Sequence, residues 1–323
     1  MINVGIIGTS GHYMSAIEAQ AMENDVKIVS YCAVFEDEDL SFLRQNCKHA
    51  TEYASYRELL ADRQLDAVVI CTHFDMNNFI ACEALKAGLA CYCEKPAFLT
   101  FEEESRLANI LSKCLPNHYG NMYEMRTMPH FMAAKQYVSS GALGEILLVH
   151  SQKSYKLGMR PNFYYSRTSY GGTIPWVGCH AFDLVKWICD VSLEPDYAFH
   201  SSGAATRTGE MESSALCVCR FPGGIASFSL DFLRPPTATT HADDRMRIVG
   251  TNGTLEVRDG QVYVTDADGS RQLPLPPPEN SFLQFLQKLR FPHKGSLLPS
   301  AAECMDTAHL AITLRTLADG EHP

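Results

Sequence analysis

Glu94-Lys95-Pro96 follows directly on an apolar run, Ala90 to Cys93, and places an ammonium in a turn that proline stiffens. A lysine held there can donate a hydrogen bond to a substrate hydroxyl and steady negative charge that develops on its oxygen. A second block, Tyr170-Gly171-Gly172-Thr173-Ile174-Pro175-Trp176-Val177-Gly178-Cys179-His180-Ala181-Phe182-Asp183, reads as a two-glycine loop feeding a helix. His180 and Asp183, at i and i+3, share one face of one turn, so the acid can orient or charge the imidazole. A helix histidine is also commonly structural, and spacing alone leaves both readings open.

The elements that must position these residues alternate along the first third of the chain. Ile2 to Ile7 is a short apolar strand ending at Gly8, and Tyr13 to Met22 reads as a helix. Strands at Val26–Val34, Ala67–Cys71 and Ala90–Cys93 alternate with helices at Leu40–Cys47, Tyr56–Ala61, Asn77–Ala87 and Phe101–Cys114. That spacing predicts a doubly wound parallel sheet, an α/β Rossmann domain whose ligands bind at the carboxyl edge. The loop Gly8-Thr9-Ser10-Gly11-His12-Tyr13 leaves the first strand where a dinucleotide pyrophosphate approaches the backbone. Aligned as G-x-G-x-x-G from Gly8, it has Ser10 at the second glycine and Tyr13 at the third, with Gly11 between them.

A carboxylate ending the second strand would take the adenosine ribose of NAD, but Ala33 stands there. The nearest acids, Glu36 and Asp37, either fill that role from a longer loop or form a solvated charge run. No arginine stands nearby for a 2'-phosphate, so NADP gains no support from this stretch either. Thr72, His73 and Asn77, in the loop after Ala67–Cys71, are expected cofactor neighbours, although Asn77 can equally cap the next helix.

From Ile146 the pattern changes. Runs at Ile146–Tyr155, Ser214–Phe221, Gly224–Phe232, Arg245–Gly250, Thr254–Arg258 and Gln261–Thr265 are strands joined by hairpin signals such as Pro222-Gly223-Gly224 and Asp259-Gly260. They predict a large, mainly antiparallel open sheet in a C-terminal α+β domain, with a helix at Cys179–Cys189 against it. The expected division is residues 1–120 and 121–323, with a polyproline-like stretch at Pro274–Pro278 and a closing helix at 300–318 available to pack back on the first domain.

A length of 323 residues exceeds one ordinary core, and 46% hydrophobic with 20% charged residues is an ordinary globular composition. The net charge of -10, with scattered basic residues, points away from nucleic acid and towards a small molecule. No apolar run approaches the roughly 20 residues of a membrane span, and Met1–Ile7 is too short for a secretory segment, so a cytoplasmic location is expected. The twelve cysteines sit in apolar strands, as in Cys91-Tyr92-Cys93 and Cys217-Val218-Cys219, and read as buried reduced thiols; no metal is expected.

Taken together, the imperfect glycine fingerprint, Glu94-Lys95-Pro96 and the Gly-Gly…Gly-x-His-x-x-Asp block resemble the glucose-fructose oxidoreductase, inositol dehydrogenase and MocA (Gfo/Idh/MocA) family. The likeness extends to Tyr123-Glu124-Met125-Arg126-Thr127-Met128-Pro129 and to the Arg247–Glu256 strand pair, and so over essentially the whole chain. It implies NAD or NADP, a sugar, polyol or derivative as substrate, and a dimer or tetramer built on the C-terminal sheet. Lys95 and His180 match the family's catalytic lysine and histidine. Many members carry an aspartate four residues before that histidine, and here the position is Trp176.

The resemblance also implies that the C-terminal sheet completes the pocket. Lys153, Tyr155, Lys156 and Arg160 form a dense donor cluster suited to an anionic or polyhydroxylated ligand, with Lys153 and Tyr155 on one strand face. Trp176 is either a stacking wall or an indole buried beneath the loop, and Asp183 is counted with the substrate residues. His241, in His241-Ala242-Asp243-Asp244-Arg245, either closes the pocket or sits in a charged surface loop. The expected activity is hydride transfer between a nicotinamide and a hydroxy compound. Two alternatives stand beside it: a binding or regulatory protein that lost the reaction, and a hydrolase or isomerase that recycles its cofactor.

Overall fold

Strand and helix alternate from the first residues onward in the structure, a computed structural model that describes residues 1–202 and 209–320. In chain order the elements are β1 (Ile2–Ile7), α1 (Met14–Met22), β2 (Val26–Cys32), α2 (Ser41–Asn46), β3 (Thr51–Glu52), α3 (Tyr56–Leu60), β4 (Ala67–Ile70), α4 (Phe74–Lys86), β5 (Ala90–Cys93), α5 (Phe101–Leu111) and β6 (Tyr119–Asn121). They continue as α6 (Pro129–Ser139), β7 (Ile146–Tyr155), α7 (Arg167–Tyr170), α8 (Cys179–Cys189), β8 (Glu194–Ser201), β9 (Ser214–Phe221), β10 (Gly224–Asp231), β11 (Ala242–Gly250), β12 (Gly253–Arg258), β13 (Gln261–Asp266), β14 (Gly269–Gln272), α9 (Ser281–Arg290) and α10 (Ala301–Ala318). The chain forms two compact units, residues 1–124 with 280–306 and residues 125–279 with 307–320. The division falls inside α10, between residues 306 and 307.

The first unit is a six-stranded sheet in the order β3-β2-β1-β4-β5-β6, parallel throughout. Strand order reverses between β1 and β4, which opens a crevice at their carboxyl ends. The residues of β4 and β5 are all buried, as strands covered on both faces must be, and this is why Ala67–Ile70 and Ala90–Cys93 read as continuous apolar runs. One helix of this unit went unread in the sequence. In α9 the apolar side of Ser-Phe-Leu-Gln-Phe-Leu-Gln brings Phe282, Phe285 and Leu286 into the same core as Val4, Ile28 and Tyr92. Phe285 lies 5.1 Å from Tyr92, ring centre to ring centre. Its start is capped by Asn280, whose side-chain oxygen accepts the Leu283 N–H at 2.9 Å.

The second unit is an eight-stranded sheet in the order β14-β13-β12-β11-β7-β10-β9-β8, antiparallel except for β7 beside β10. α6 and α8 pack on one face. Period 2 sends Ala226, Phe228 and Leu230 of β10 and Ala215, Cys217 and Cys219 of β9 into the buried side. The apolar stretch Ala226–Phe232 is therefore not the uncovered surface; that surface carries Phe199, Leu216 and Ile225, each at least half exposed. β8 and β14 were not legible as strands, being short of the apolar alternation that marks β9 and β10.

Among the described residues no helix is long and apolar enough to cross a membrane. All twelve cysteines are free thiols, and burial pushes Cys219 up to about 12.

Candidate functional site

In the first unit the glycine loop is shaped by two positions where a side chain has no room. Gly8 has φ +77°, and a Cβ there would lie 2.5 Å from the Cys71 carbonyl oxygen and 2.6 Å from Glu38 Oε1. A Cβ on Gly11 would run into the Glu94 carboxylate. Gly8 N–H donates to Cys32 O at 2.9 Å and Ser10 N–H to Cys71 O at 2.6 Å, which ties the loop to β2 and β4. Two glycines thus serve where the fingerprint has three, and Ser10 is tolerated because its hydroxyl turns towards Glu38 at 3.5 Å. Thr9, Ser10, Gly11, His12 and Tyr13 remain half-buried at the sheet edge, ahead of α1, whose N-cap position Tyr13 makes no side-chain cap bond.

Beyond β2 the two candidate acids part company. Glu36 is exposed; Asp37 Oδ1 lies 3.0 Å from His73 Nε2, and His73 stacks on Phe35 with ring centres 3.7 Å apart. Glu38, which the sequence reading passed over, is buried, and its Oε2 accepts the N–H groups of Val34 at 2.6 Å and Phe35 at 3.1 Å.

At the end of β4 the side-chain oxygen of Asn77 accepts the Thr72 N–H at 3.0 Å. Its amide nitrogen and the Thr72 hydroxyl are buried without a hydrogen-bond partner among the described residues. Buried polar atoms of that kind at a carboxyl sheet edge fit a polar ligand that completes them. Asn77 lies inside the first turn of α4 rather than capping it, the N-cap position being His73.

At the end of β5, Glu94 is fully buried and anchored from two sides. Its Oε2 accepts the His12 N–H at 2.9 Å and faces His12 Nδ1 at 2.7 Å, while Oε1 accepts the Lys95 N–H at 3.1 Å. The Glu94 charge holds His12 above its ordinary value against the opposing effect of burial. Burial alone would raise Glu94, yet the His12 charge and hydrogen bonds outweigh it and hold the carboxyl below the usual range. Lys95 is 2% exposed. Asn121, also missed in the sequence, donates its side-chain N–H to the carbonyls of Cys93 and Glu94, both at 3.2 Å, and so fixes the turn that carries the lysine.

In the second unit the Gly171-Gly172 loop enters a π-helical turn, Ile174–Gly178, that runs straight into α8. Such wide turns are frequent at functional sites because they re-aim the residues that follow. Gly178 allows a close approach to the sheet: a Cβ there would lie 2.9 Å from Leu230. Trp176 is 8% exposed and meets Tyr164 edge-on at 6.0 Å, and His180 is 5% exposed in the first turn of α8. Asp183, expected as the imidazole's partner or a substrate ligand, is also one half of an ion pair. Its Oδ2 accepts Arg126 Nε at 2.8 Å and its Oδ1 accepts Arg126 Nη2 at 2.6 Å, a buried two-pronged ion pair. Arg126 lies 57 positions off in sequence.

The donor cluster on β7 is also brought together. Lys153 stands directly across from Asp244 of β11, with Nζ 2.8 Å from Oδ1 and 4.9 Å from the Tyr155 ring centre. Burial would lower Lys153, but Tyr155 and Asp244 outweigh it and raise it. Tyr155 stacks with His241 at 5.4 Å. Burial, then the charges of Arg160 and Lys156, hold His241 below its ordinary value. Arg160 lies over the rings of Phe232 and Tyr164 at 5.1 and 5.4 Å. Lys153, Tyr155, His241, Arg160, Tyr164 and Trp176 thus form one continuous aromatic and cationic wall.

Comparison with known proteins decides the family. Residues 2–114 match the family described as an oxidoreductase family with an NAD-binding Rossmann fold, and residues 131–256 match the GFO/IDH/MocA C-terminal domain. The chain belongs to the Gfo/Idh/MocA oxidoreductase family. A solved Thermotoga maritima protein, assigned as an oxidoreductase, superposes with a TM-score of 0.93 at 38% identity over 98% of both chains. An uncharacterised oxidoreductase of Bacillus subtilis is 29% identical over 68% of this chain, which spans 64% of that relative's length. The myo-inositol 2-dehydrogenase of Thermotoga maritima is 24% identical over 84% of this chain and 80% of its own. The Rossmann match of this Gfo/Idh/MocA member spans Gly8 to Lys95, and the C-terminal match spans Lys153 to His241.

Proposed function

We propose that the protein is an NAD(P)-dependent oxidoreductase acting on a CH–OH group of a sugar, polyol or related hydroxy compound. The observation that carries it is the carboxyl edge of the first sheet. There a buried lysine is anchored through Glu94, two glycines leave a cradle that a Cβ would fill, and Thr72 and Asn77 hold buried polar atoms without partners among the described residues. These residues fit a dinucleotide, with Gly8–Tyr13 against the pyrophosphate and Thr72, Asn77 and Glu94 towards the nicotinamide half. When bound, the nicotinamide supplies the hydride acceptor.

In this reading His180 takes the proton of the substrate hydroxyl, and Lys95 donates a hydrogen bond to the oxygen on which negative charge develops. Trp176 occupies the place of the family aspartate as an indole, so the proton is handled by two residues. The second unit's wall supplies donors and ring faces, with Arg160 Nε a buried donor that has no partner among the described residues. The pairing of Lys153 with Asp244 favours a polyhydroxylated ligand, because the lysine charge is already balanced. The uncovered face carrying Phe199, Leu216 and Ile225 is the surface through which a homodimer or homotetramer would form.

The test is a fluorescence titration with NADH and NADPH, followed by a screen of polyols and sugars for NAD(P)-linked turnover. Binding with turnover that Lys95→Ala abolishes supports the reading. Absence of binding of either dinucleotide at millimolar concentration sinks it. Trp176 keeps a second reading open, a member that binds without reacting, which would show binding and no turnover. Product analysis by NMR with catalytic NAD separates a net dehydrogenase from a cofactor-recycling isomerase or hydrolase.

A further inference from the structure

In a Rossmann sheet the carboxylate that receives the adenosine ribose hydroxyls ends the second strand. Here Ala33 is the first residue past β2, and a methyl group accepts nothing. The chain instead loops through Val34 to Asp39 and brings a carboxylate back to the vacated place from five positions further on. Glu38 is 6% exposed, and its Oε1 lies 2.6 Å from where a Gly8 Cβ would stand, so it faces the glycine cradle itself. Oε2 is committed to the N–H groups of Val34 and Phe35, whereas Oε1 has, among the described residues, only the long contact from Ser10 Oγ at 3.5 Å. One oxygen is thus fixed to backbone and the other is aimed at the loop with accepting capacity to spare.

The loop that delivers Glu38 is held in place. Phe35 stacks on His73 with only 5° between the ring planes, and Asp37 lies 3.0 Å from the same imidazole. This clasp leaves Glu36 exposed and turned to solvent. Charge around the position points one way. A cleft of about 530 Å³ beside Glu38 is lined by Glu36, Asp37, Asp39 and Glu52, with Arg44 as its cation among the described residues. Arg44 gives Nε and Nη2 to Glu52 at 2.8 and 2.6 Å. A ribose diol finds an acceptor there, while a 2'-phosphate meets carboxylates and an arginine already paired.

We propose that Glu38 is the ribose-binding carboxylate of this chain and sets a preference for NAD over NADP. The inference rests on the oxidoreductase reading above, but its test reads binding without turnover. The wild-type protein and the Glu38→Gln, Glu38→Ala and Glu36→Ala variants are titrated with NADH and NADPH by fluorescence, and with ADP-ribose and its 2'-phosphate by calorimetry.

The wild type is expected to bind NADH at least about tenfold more tightly than NADPH, a charge-assisted hydrogen bond being worth roughly one to two powers of ten. In Glu38→Gln that ratio should fall by about tenfold or more, through weaker NADH and stronger NADPH binding. The glutamine carbonyl still accepts the Val34 and Phe35 N–H groups, so this variant carries the test if Glu38→Ala does not fold, as read by its circular dichroism melt. Equal affinity for the two dinucleotides in the wild type overturns the proposal. So does loss of selectivity in Glu36→Ala with none in Glu38→Gln. Binding of neither dinucleotide overturns the oxidoreductase reading along with it, and so marks the two failures apart.

Discussion

The two units differ in how part of their buried polar groups is satisfied. In the first, some polar groups at the sheet edge are anchored on one side and left with capacity on the other: Thr72 and Asn77 keep atoms without partners among the described residues, and Glu38 commits one oxygen to backbone. In the second, two buried pairs close on themselves, Arg126 with Asp183 and Lys153 with Asp244. A site that waits for a shared cofactor can be built from generic, half-satisfied parts. On the proposed reading the second unit's wall receives the substrate, and the Lys153–Asp244 pair holds its lysine in place.

That contrast can be broken most forcefully at Asp183. Replacing it with alanine strands a buried guanidinium, and a loss of about 3–5 kcal/mol in stability is expected by urea unfolding. The double replacement Asp183→Leu with Arg126→Met should recover most of it; no recovery would mean the pair does more than brace α8. Lys95→Ala should lower kcat by about 10²–10³ while NADH affinity changes only severalfold. Equal losses in binding and kcat would move Lys95 from chemistry to cofactor holding. Gly8→Ala, strained at φ +77° and pressed on the Cys71 carbonyl, should cost about 1–3 kcal/mol and weaken dinucleotide binding, as thermal melts and titration would register.

The smallest effect concerns pH. His12 is raised above its unfolded value of 6.5, so its contribution is fully present below that pH and fades as pH climbs through the folded-state value. Glu94 is lowered from 4.5, so its share is present above that pH and fades as pH drops through the folded-state value. Stability against pH should therefore lose its high-pH decline in His12→Gln, measured by melts across the range. An unchanged curve would remove the ion pair from the account.

Much of the first unit was legible because its signals are local. Gly8, the apolar runs of β4 and β5, and Glu94-Lys95-Pro96 each announce a strand end within a few residues. Glu38 was not, since only the fold-back of the loop shows which of four neighbouring acids faces the glycines. In the second unit the shared face of Lys153 and Tyr155 could be read from period 2, but the ion pairs could not. Asp244 sits across from Lys153 only once β11 begins at Ala242, three residues before the apolar alternation starts, and Arg126 reaches Asp183 across 57 positions. α9 was overlooked because it follows a proline-rich stretch that reads as linker, although its Phe282 and Phe285 spacing marks a helix face.

The place of α9 bears on how the molecule is made. The core beneath Tyr92 is closed by aromatic rings that lie more than 150 residues after Glu124, the last residue of the first segment of that unit. A nucleotide-binding fragment cut at residue 124 would leave that apolar floor open to water and would tend to aggregate. During synthesis the residues that close this floor emerge only after residues 125–279 have been translated. A useful excised domain would join residues 1–124 to 280–306 through a short artificial linker.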